Sequence, residues 1–158
     1  LIDACPAMLE LAKRIRRVSG LTVMTNGLDI AVELADADDI EVICTGGMLN
    51  KETFAFHGAQ AEQSLADYRF DKVFLGAEGF GIREGITTRD ESIARMKRAM
   101  IESAAACIVM IEASVFGHAS VHHIISVDKV DTIVTGIGMP AKYRDALERL
   151  GVEIVLAD

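Results

Sequence analysis

The sequence predicts an α/β fold, doubly wound around a mostly parallel sheet. Three observations predict it. Short apolar runs alternate with amphipathic stretches of helical spacing, joined by short loops. The polar ends of those runs are rich in glycine, threonine, asparagine and carboxylates. One stretch, residues 71–97, joins an apolar run to a glycine-punctuated loop and then to a helix start, the usual α/β device for gripping an anion or sugar phosphate.

Leu1-Ile2 reads as the end of an apolar strand with Asp3 at its tip. Without an initiator methionine, the chain reads as a fragment lacking its upstream residues. Residues 7–18 place Met8, Leu11, Ala12, Ile15 and Val18 on one helical face, and Ser19-Gly20 closes the helix. Leu21–Met24 is a strand ending at Thr25-Asn26-Gly27. A helix over 28–36 follows, then a strand over Ile40–Cys44 ending at Thr45-Gly46-Gly47. Residues 48–57 break the rhythm and suit an extended edge strand or a flap. Gly58–Tyr68 is amphipathic, and Val73–Leu75 reads as a buried strand.

The loop after Val73–Leu75 holds Gly76, Gly79, Gly81 and Gly85, one carboxylate in its first half, Glu78, and the pair Thr87-Thr88. The next helix begins near Arg89 or Asp90 and ends near Ala105. Asp90 and Glu91 suit its N-terminus electrostatically. Strands follow at Cys107–Ile111, Thr132–Thr135 and Val152–Leu156, with a short element at His122–Val127 and a helix over Pro140–Leu150. The total is six or seven strands and five helices, with right-handed crossovers.

At 158 residues, 51% apolar and 25% charged, the chain is one domain with a sizeable core. No apolar run approaches the ~20 residues that span a bilayer, and no signal peptide is visible, so a cytoplasmic location without a membrane partner is expected. Cys5, Cys44 and Cys107 lack metal-ligand spacing, and Cys44 and Cys107 sit in apolar runs as buried free thiols. The four histidines show no metal spacing either; neither a metal nor a cofactor is expected. A net charge of −8 disfavours contact with a nucleic-acid backbone.

In an open sheet of this kind ligands lie beyond the carboxyl ends of the strands. Asp3, Thr25-Asn26, Gly46-Gly47, Gly76–Gly79 and Glu112–Ser114 come from five strands and converge on that edge, which points to a small-molecule site. Each has a plainer reading: the glycine loop as a tight connection, Thr25-Asn26 as a helix cap, Lys97 as a solvated helix cation.

Four stretches carry a resemblance: VMTNGLDIA at 23–31, CTGGMLNKETFAFHG at 44–58, DKVFLGAEGFGIREGITTRDESIARMK at 71–97 and GVEIVLAD at 151–158. The chain resembles the C-terminal effector-binding domain of DeoR-family bacterial transcription regulators, nearly end to end. The resemblance implies a Rossmann-type fold like that of ribose-5-phosphate isomerase and NagB. It also implies a phosphorylated sugar or polyol as effector across the strand tips. Operator DNA would be bound by an N-terminal winged helix-turn-helix absent here. A homodimer or homotetramer is expected, since operator half-sites demand paired readers.

By matching position, the resemblance makes Asp3, Thr25, Asn26, Gly46, Gly47, Gly76, Ala77, Glu78, Gly79, Thr87, Thr88, Glu91 and Lys97 effector-binding residues, and none catalytic. Three departures bear on the phosphate. The family's glycine-and-hydroxyl loop after the first aspartate is here Asp3-Ala4-Cys5-Pro6-Ala7-Met8. Its Asp-Ser-Ser-Lys-Phe-Gly is here Glu112-Ala113-Ser114-Val115-Phe116-Gly117. Its central aspartate is here Glu78. Two other readings remain: a phosphosugar isomerase with Glu78 or Glu91 as base, and an oligomerisation module with a decayed pocket.

Overall fold

In the computed structural model, which describes residues 1–157, the chain forms α1 (Pro6–Ile15), β1 (Leu21–Thr25), α2 (Leu28–Leu34), β2 (Ile40–Cys44), β3 (Met48–Asn50) and β4 (Ala55–His57). It continues with α3 (Ala59–Ser64), β5 (Phe70–Leu75), β6 (Gly79–Gly81), β7 (Gly85–Thr88), α4 (Glu91–Glu102) and β8 (Ala104–Met110). The last elements are β9 (His122–Ile125), β10 (Thr132–Gly136), α5 (Ala141–Arg149) and β11 (Glu153–Ala157).

The parallel sheet is centred on Leu1–Asp3. The Ile2 N–H donates to Met24 O at 2.9 Å on one side, and on the other Asp3 N–H donates to Phe74 O at 3.0 Å. This short segment bridges the parallel pair β1–β2 to the parallel array β5, β8, β10, β11. From it the chain winds outward through β1 and β2 to one edge. It then returns to β5 on the other side and proceeds through β8 and β10 to β11. The winding therefore reverses between Leu1–Asp3 and β5. This is the doubly wound, Rossmann-like arrangement expected from the sequence.

Alternate side chains of the strands go to opposite faces, and the core divides accordingly. Ile2, Val23 and Phe74 pack with Met8 and Ala12 of α1 and Ile30 and Leu34 of α2. Met24, Val73, Leu75, Val109 and Ile133 pack with Met96 and Met100 of α4 and Leu147 of α5.

Two local expectations need correcting and a third is sharpened. The glycine-rich stretch after β5 is not a loop but the hairpin β6–β7, and β9 extends it to a three-stranded antiparallel sheet. Phe80 and Ile86, partners across the hairpin, are both fully buried. Residues 48–57 form a second hairpin, β3–β4. Its turn is set by Asn50, whose Oδ1 accepts from Glu52 N–H at 2.9 Å and Thr53 N–H at 3.3 Å. Cys44 is exposed rather than buried, because β2 is an edge strand; Cys107 is buried and Cys5 half-buried.

Candidate functional site

The winding reversal leaves a cleft of about 630 Å³ beyond the strand ends. Its floor is built by three residues far apart in sequence. Asp3 ends the central segment, Gly76 follows β5, and Lys97 lies in the middle of α4. Asp3 Oδ2 accepts from the Gly76 N–H at 3.1 Å and from Lys97 Nζ at 2.5 Å. Lys97 Nζ also donates to Gly76 O at 2.6 Å. The side chains are only 8% (Lys97) and 3% (Asp3) exposed. A buried lysine arises here because Lys97 continues the inward stripe of Ala94, Met96 and Met100. The helix itself is fixed by Asp90, whose Oδ1 accepts from Ser92 N–H at 2.7 Å and Ile93 N–H at 3.1 Å.

A side chain at Gly76 would crowd Cys5: a Cβ there would lie 2.6 Å from Cys5 Sγ. Burial pushes the Cys5 thiol above its ordinary pKa, and the Asp3 carboxylate adds to the rise.

One wall is the start of α1, Ala4 to Ala7, facing the β3–β4 hairpin, whose residues 52–57 form the opposite wall. Asn26 ties the two together. Its Oδ1 accepts from Ala4 N–H at 2.9 Å, its Nδ2 donates to Phe56 O at 3.4 Å, and its carbonyl accepts from Phe56 N–H at 2.7 Å. The remaining lining comes from Ala77, Glu78 and Thr88, from Ile93 and Met96 of α4, and from Met110 to Glu112 with Val115.

Glu78 is held by Thr88 Oγ1 and by the Arg89 N–H, each donating to Oε2 at 2.8 Å, and by the Arg89 guanidinium 3.2 Å from Oε1. Burial works to raise its pKa, but the Arg89 N–H, the guanidinium and the Thr88 hydroxyl outweigh it, and the carboxyl lies below its ordinary value.

A match to a known family covers this architecture: residues 1–136 fit the DeoR C terminal sensor domain. The chain belongs to the DeoR family. This sensor domain is 36% identical over 156 residues to a putative aga operon transcriptional repressor of Escherichia coli O157:H7, covering 99% of this chain and 58% of that protein. It is 34% identical over 154 residues to the uncharacterized HTH-type transcriptional regulator YulB of Bacillus subtilis, covering 98% and 59%. It is 33% identical over 153 residues to the HTH-type transcriptional regulator GlpR of Haloferax volcanii, covering 97% and 60%. The chain thus spans about three-fifths of the length of these relatives.

Of the residues implied by the family resemblance, Asp3, Asn26, Gly76, Ala77, Glu78, Thr88 and Lys97 line the sensor domain's cleft. The other six do not, for identifiable reasons. Thr25 turns back to the sheet, its hydroxyl donating to Ile2 O at 2.7 Å and accepting from Gly27 N–H at 3.0 Å. Gly46 and Gly47 form the bend into the hairpin, where a Cβ at Gly47 would meet His57 O at 2.7 Å. Gly79 lies in β6 against Thr87, whose Oγ1 accepts from Ser120 N–H at 2.9 Å. Glu91 is exposed in the first turn of α4.

The hairpin wall, Asp29 and the apolar lining from α4 and β8 went unassigned in the sequence. The Asn50 turn signal could have exposed the hairpin. Nothing in the sequence alone tells which inward residues of α4 meet a cleft and which meet the core.

Proposed function

We propose that this domain is the effector sensor and oligomerisation unit of a DeoR-type regulator, suited to repression of sugar or polyol catabolic genes, with its effector seated in the cleft above Asp3 and Lys97. The observation that carries the reading is the position of that cleft. It opens where the winding reverses, the place at which open α/β sheets take their ligands, and its floor is a buried ion pair with hydrogen-bonding capacity to spare. Family membership supports regulation as the output. Operator binding falls to an N-terminal helix-turn-helix beyond these residues, in the cytoplasm, and the sensor's net charge of −8 suits it poorly to DNA.

The cleft also suggests how occupancy is transmitted. Asn26 joins the start of α1 to the hairpin wall, and that hairpin presents Met48, Leu49 and Phe54 to solvent, 65%, 38% and 50% exposed. A ligand that draws the hairpin inward alters this apolar surface, which we assign to contact between subunits of a dimer or tetramer. The coupling needed is modest, about 1–3 kcal/mol between effector and operator arrangements.

An isomerase reading is less well supported. Glu78 is engaged by Thr88 and Arg89, and Glu91 lies outside the cleft, so neither is free to move a substrate proton.

The test is thermal denaturation across a panel of sugars and polyols with their phosphate esters, in wild type and in Ala7→Trp, which fills the cleft from its exposed rim. A compound at ~100-fold its dissociation constant adds about 2.7 kcal/mol of stability. The expected result is a raised midpoint for one compound family, abolished by Ala7→Trp. A panel with no shift, or a shift that Ala7→Trp leaves intact, overturns the proposal.

A further inference from the structure

We infer that the effector is an uncharged polyhydroxy compound, a sugar or sugar alcohol without a phosphate, held through two neighbouring hydroxyls by Asp3 and Lys97. The inference rests on the sensor reading above and narrows its ligand. The family resemblance implied a phosphorylated compound; the chemistry of this cleft argues otherwise.

Charge is the first argument. Asp3, Asp29, Glu52, Glu78 and Glu112 line the cleft against a single ammonium, Lys97. That ammonium is already compensated by Asp3 at 2.5 Å, and Glu78 by the Arg89 guanidinium at 3.2 Å. Among the described residues, Asp29, Glu52 and Glu112 form no ion pair in the cleft. A phosphate dianion entering here meets uncompensated carboxylates and no free lysine or arginine, and the like charges repel it.

The second argument is a depleted donor set at the start of α1. An α-helix binds phosphate through the unpaired N–H groups of its first turn. At α1 the N-cap is Cys5, which makes no side-chain cap, and the first helical residue is Pro6, which has no N–H. Ala4 N–H is taken by Asn26, and the Met8 and Leu9 N–H groups by Cys5 O, which leaves only the Cys5 and Ala7 N–H groups at this helix start.

The third is what the floor leaves open. Both bonds that Asp3 accepts fall on Oδ2, from Gly76 and Lys97. Its Oδ1 accepts none among the described residues, although the side chain is only 3% exposed and borders the cleft. Lys97 directs two bonds to Asp3 and Gly76, leaving one N–H of its three. A strong acceptor beside a donor fits a vicinal diol, one hydroxyl donating to Asp3 Oδ1 and its neighbour accepting from Lys97 Nζ. A fully ionised phosphate offers only acceptors and would confront Asp3 Oδ1 with a second anion. Ile93, Met96, Met110 and Val115 supply an apolar side for the C–H face of such a compound.

The test is calorimetric titration of the 158-residue chain with matched pairs: ribitol and ribitol 5-phosphate, glucitol and glucitol 6-phosphate, glucose and glucose 6-phosphate, galactose and galactose 6-phosphate, with inorganic phosphate alone as competitor. The expected result is that a neutral member binds, its ester binds at least tenfold more weakly, and inorganic phosphate does not compete. Asp3→Asn should weaken the neutral compound at least tenfold. Because Asp3→Asn disturbs a buried pair, Glu52→Gln with Glu112→Gln, both at exposed positions, provides an independent check: the gap between ester and parent should narrow. An ester that binds more tightly than its parent, or competition by inorganic phosphate, overturns the ligand class while leaving the sensor reading intact. Failure of every pair to bind overturns both.

Discussion

Lys97 and Asp3, 94 residues apart in the chain, meet at 2.5 Å beneath the cleft, and both are shielded from solvent. The contact joins the middle of α4 to the central segment of the sheet, and Gly76 completes it from the end of β5. With the effector seated as proposed, ligand recognition and the integrity of the sheet centre depend on the same atoms.

Removing one partner of a buried ion pair leaves an uncompensated charge, at a cost of about 3–5 kcal/mol, whereas replacing both by apolar groups is often neutral. Lys97→Met should therefore destabilise the domain by about that amount. The double variant Asp3→Leu with Lys97→Met should recover more than half of the loss. Urea denaturation of the two single variants and the double variant measures the coupling. Additive losses would mean that the pair is not coupled and that the lysine is stabilised by its packing alone.

Gly76→Ala is expected to be costly although alanine is small. The new Cβ would lie 2.6 Å from Cys5 Sγ, and overpacking of this kind costs roughly 1–3 kcal/mol. Cys5 Cβ is 3.4 Å from the same point, an ordinary contact. In a Cys5→Ala background the Gly76→Ala penalty should fall below about 1 kcal/mol. Chemical denaturation of the four-member cycle decides it; an unchanged penalty would locate the strain in the backbone instead.

The reach of the sequence can be judged at particular residues. The parallel strands and their flanking helices were legible because Val73–Leu75 and Ile40–Cys44 are short apolar runs between turn residues, and α1 and α4 carry inward stripes. Asp3 at the tip of Leu1–Ile2 was legible for the same reason. The β6–β7 hairpin was not, because its strands are only three and four residues long and Gly79, Gly81 and Gly85 are of a type usually found in loops. Those glycines make room for crossing segments: Gly79 packs against Thr87 and His118, and Gly85 against Ile125. Thr25 and Thr87 illustrate a different ambiguity. A hydroxyl near a strand tip can face a ligand or satisfy the neighbouring backbone, and both of these bond backbone groups of the fold.

The three thiols should separate cleanly in reactivity, since the thiolate is the reactive form. Cys44 is exposed on the edge strand. The Cys5 thiol is pushed above its ordinary value by burial and by Asp3. The Cys107 thiol is pushed up to about 12 by burial, with Asp131 adding to it. Iodoacetamide labelling at about pH 8, near the ordinary thiol pKa, followed by peptide mass mapping, should show Cys44 modified first and Cys5 slowly, with Cys107 modified only under denaturing conditions. A cleft ligand should slow Cys5 further without affecting Cys44. Fast labelling of Cys107 in the native protein would contradict the packing described for β8.

The acid limb of stability should carry a signature of Glu78. Burial alone would raise its pKa, but the Arg89 N–H, the Arg89 guanidinium and the Thr88 hydroxyl together hold it below its ordinary 4.5. A carboxyl whose pKa is lower in the folded than in the unfolded chain contributes stability that is fully present above 4.5. That contribution is lost as pH falls through the lower folded value. The side chain is 41% exposed, so solvent screens the effect and keeps it small. Glu78→Gln keeps the shape and removes the charge. The stability difference between wild type and this variant should be greatest near neutrality and shrink as the pH falls below 4.5, and added salt should reduce it. The Asp90 carboxyl is also lowered, by its bonds to Ser92 and Ile93, but it is present in both proteins and cancels in the difference. A difference that stays constant across the acid range would show that the Glu78 charge contributes nothing, leaving only the shape of its hydrogen bonds to Thr88 and Arg89.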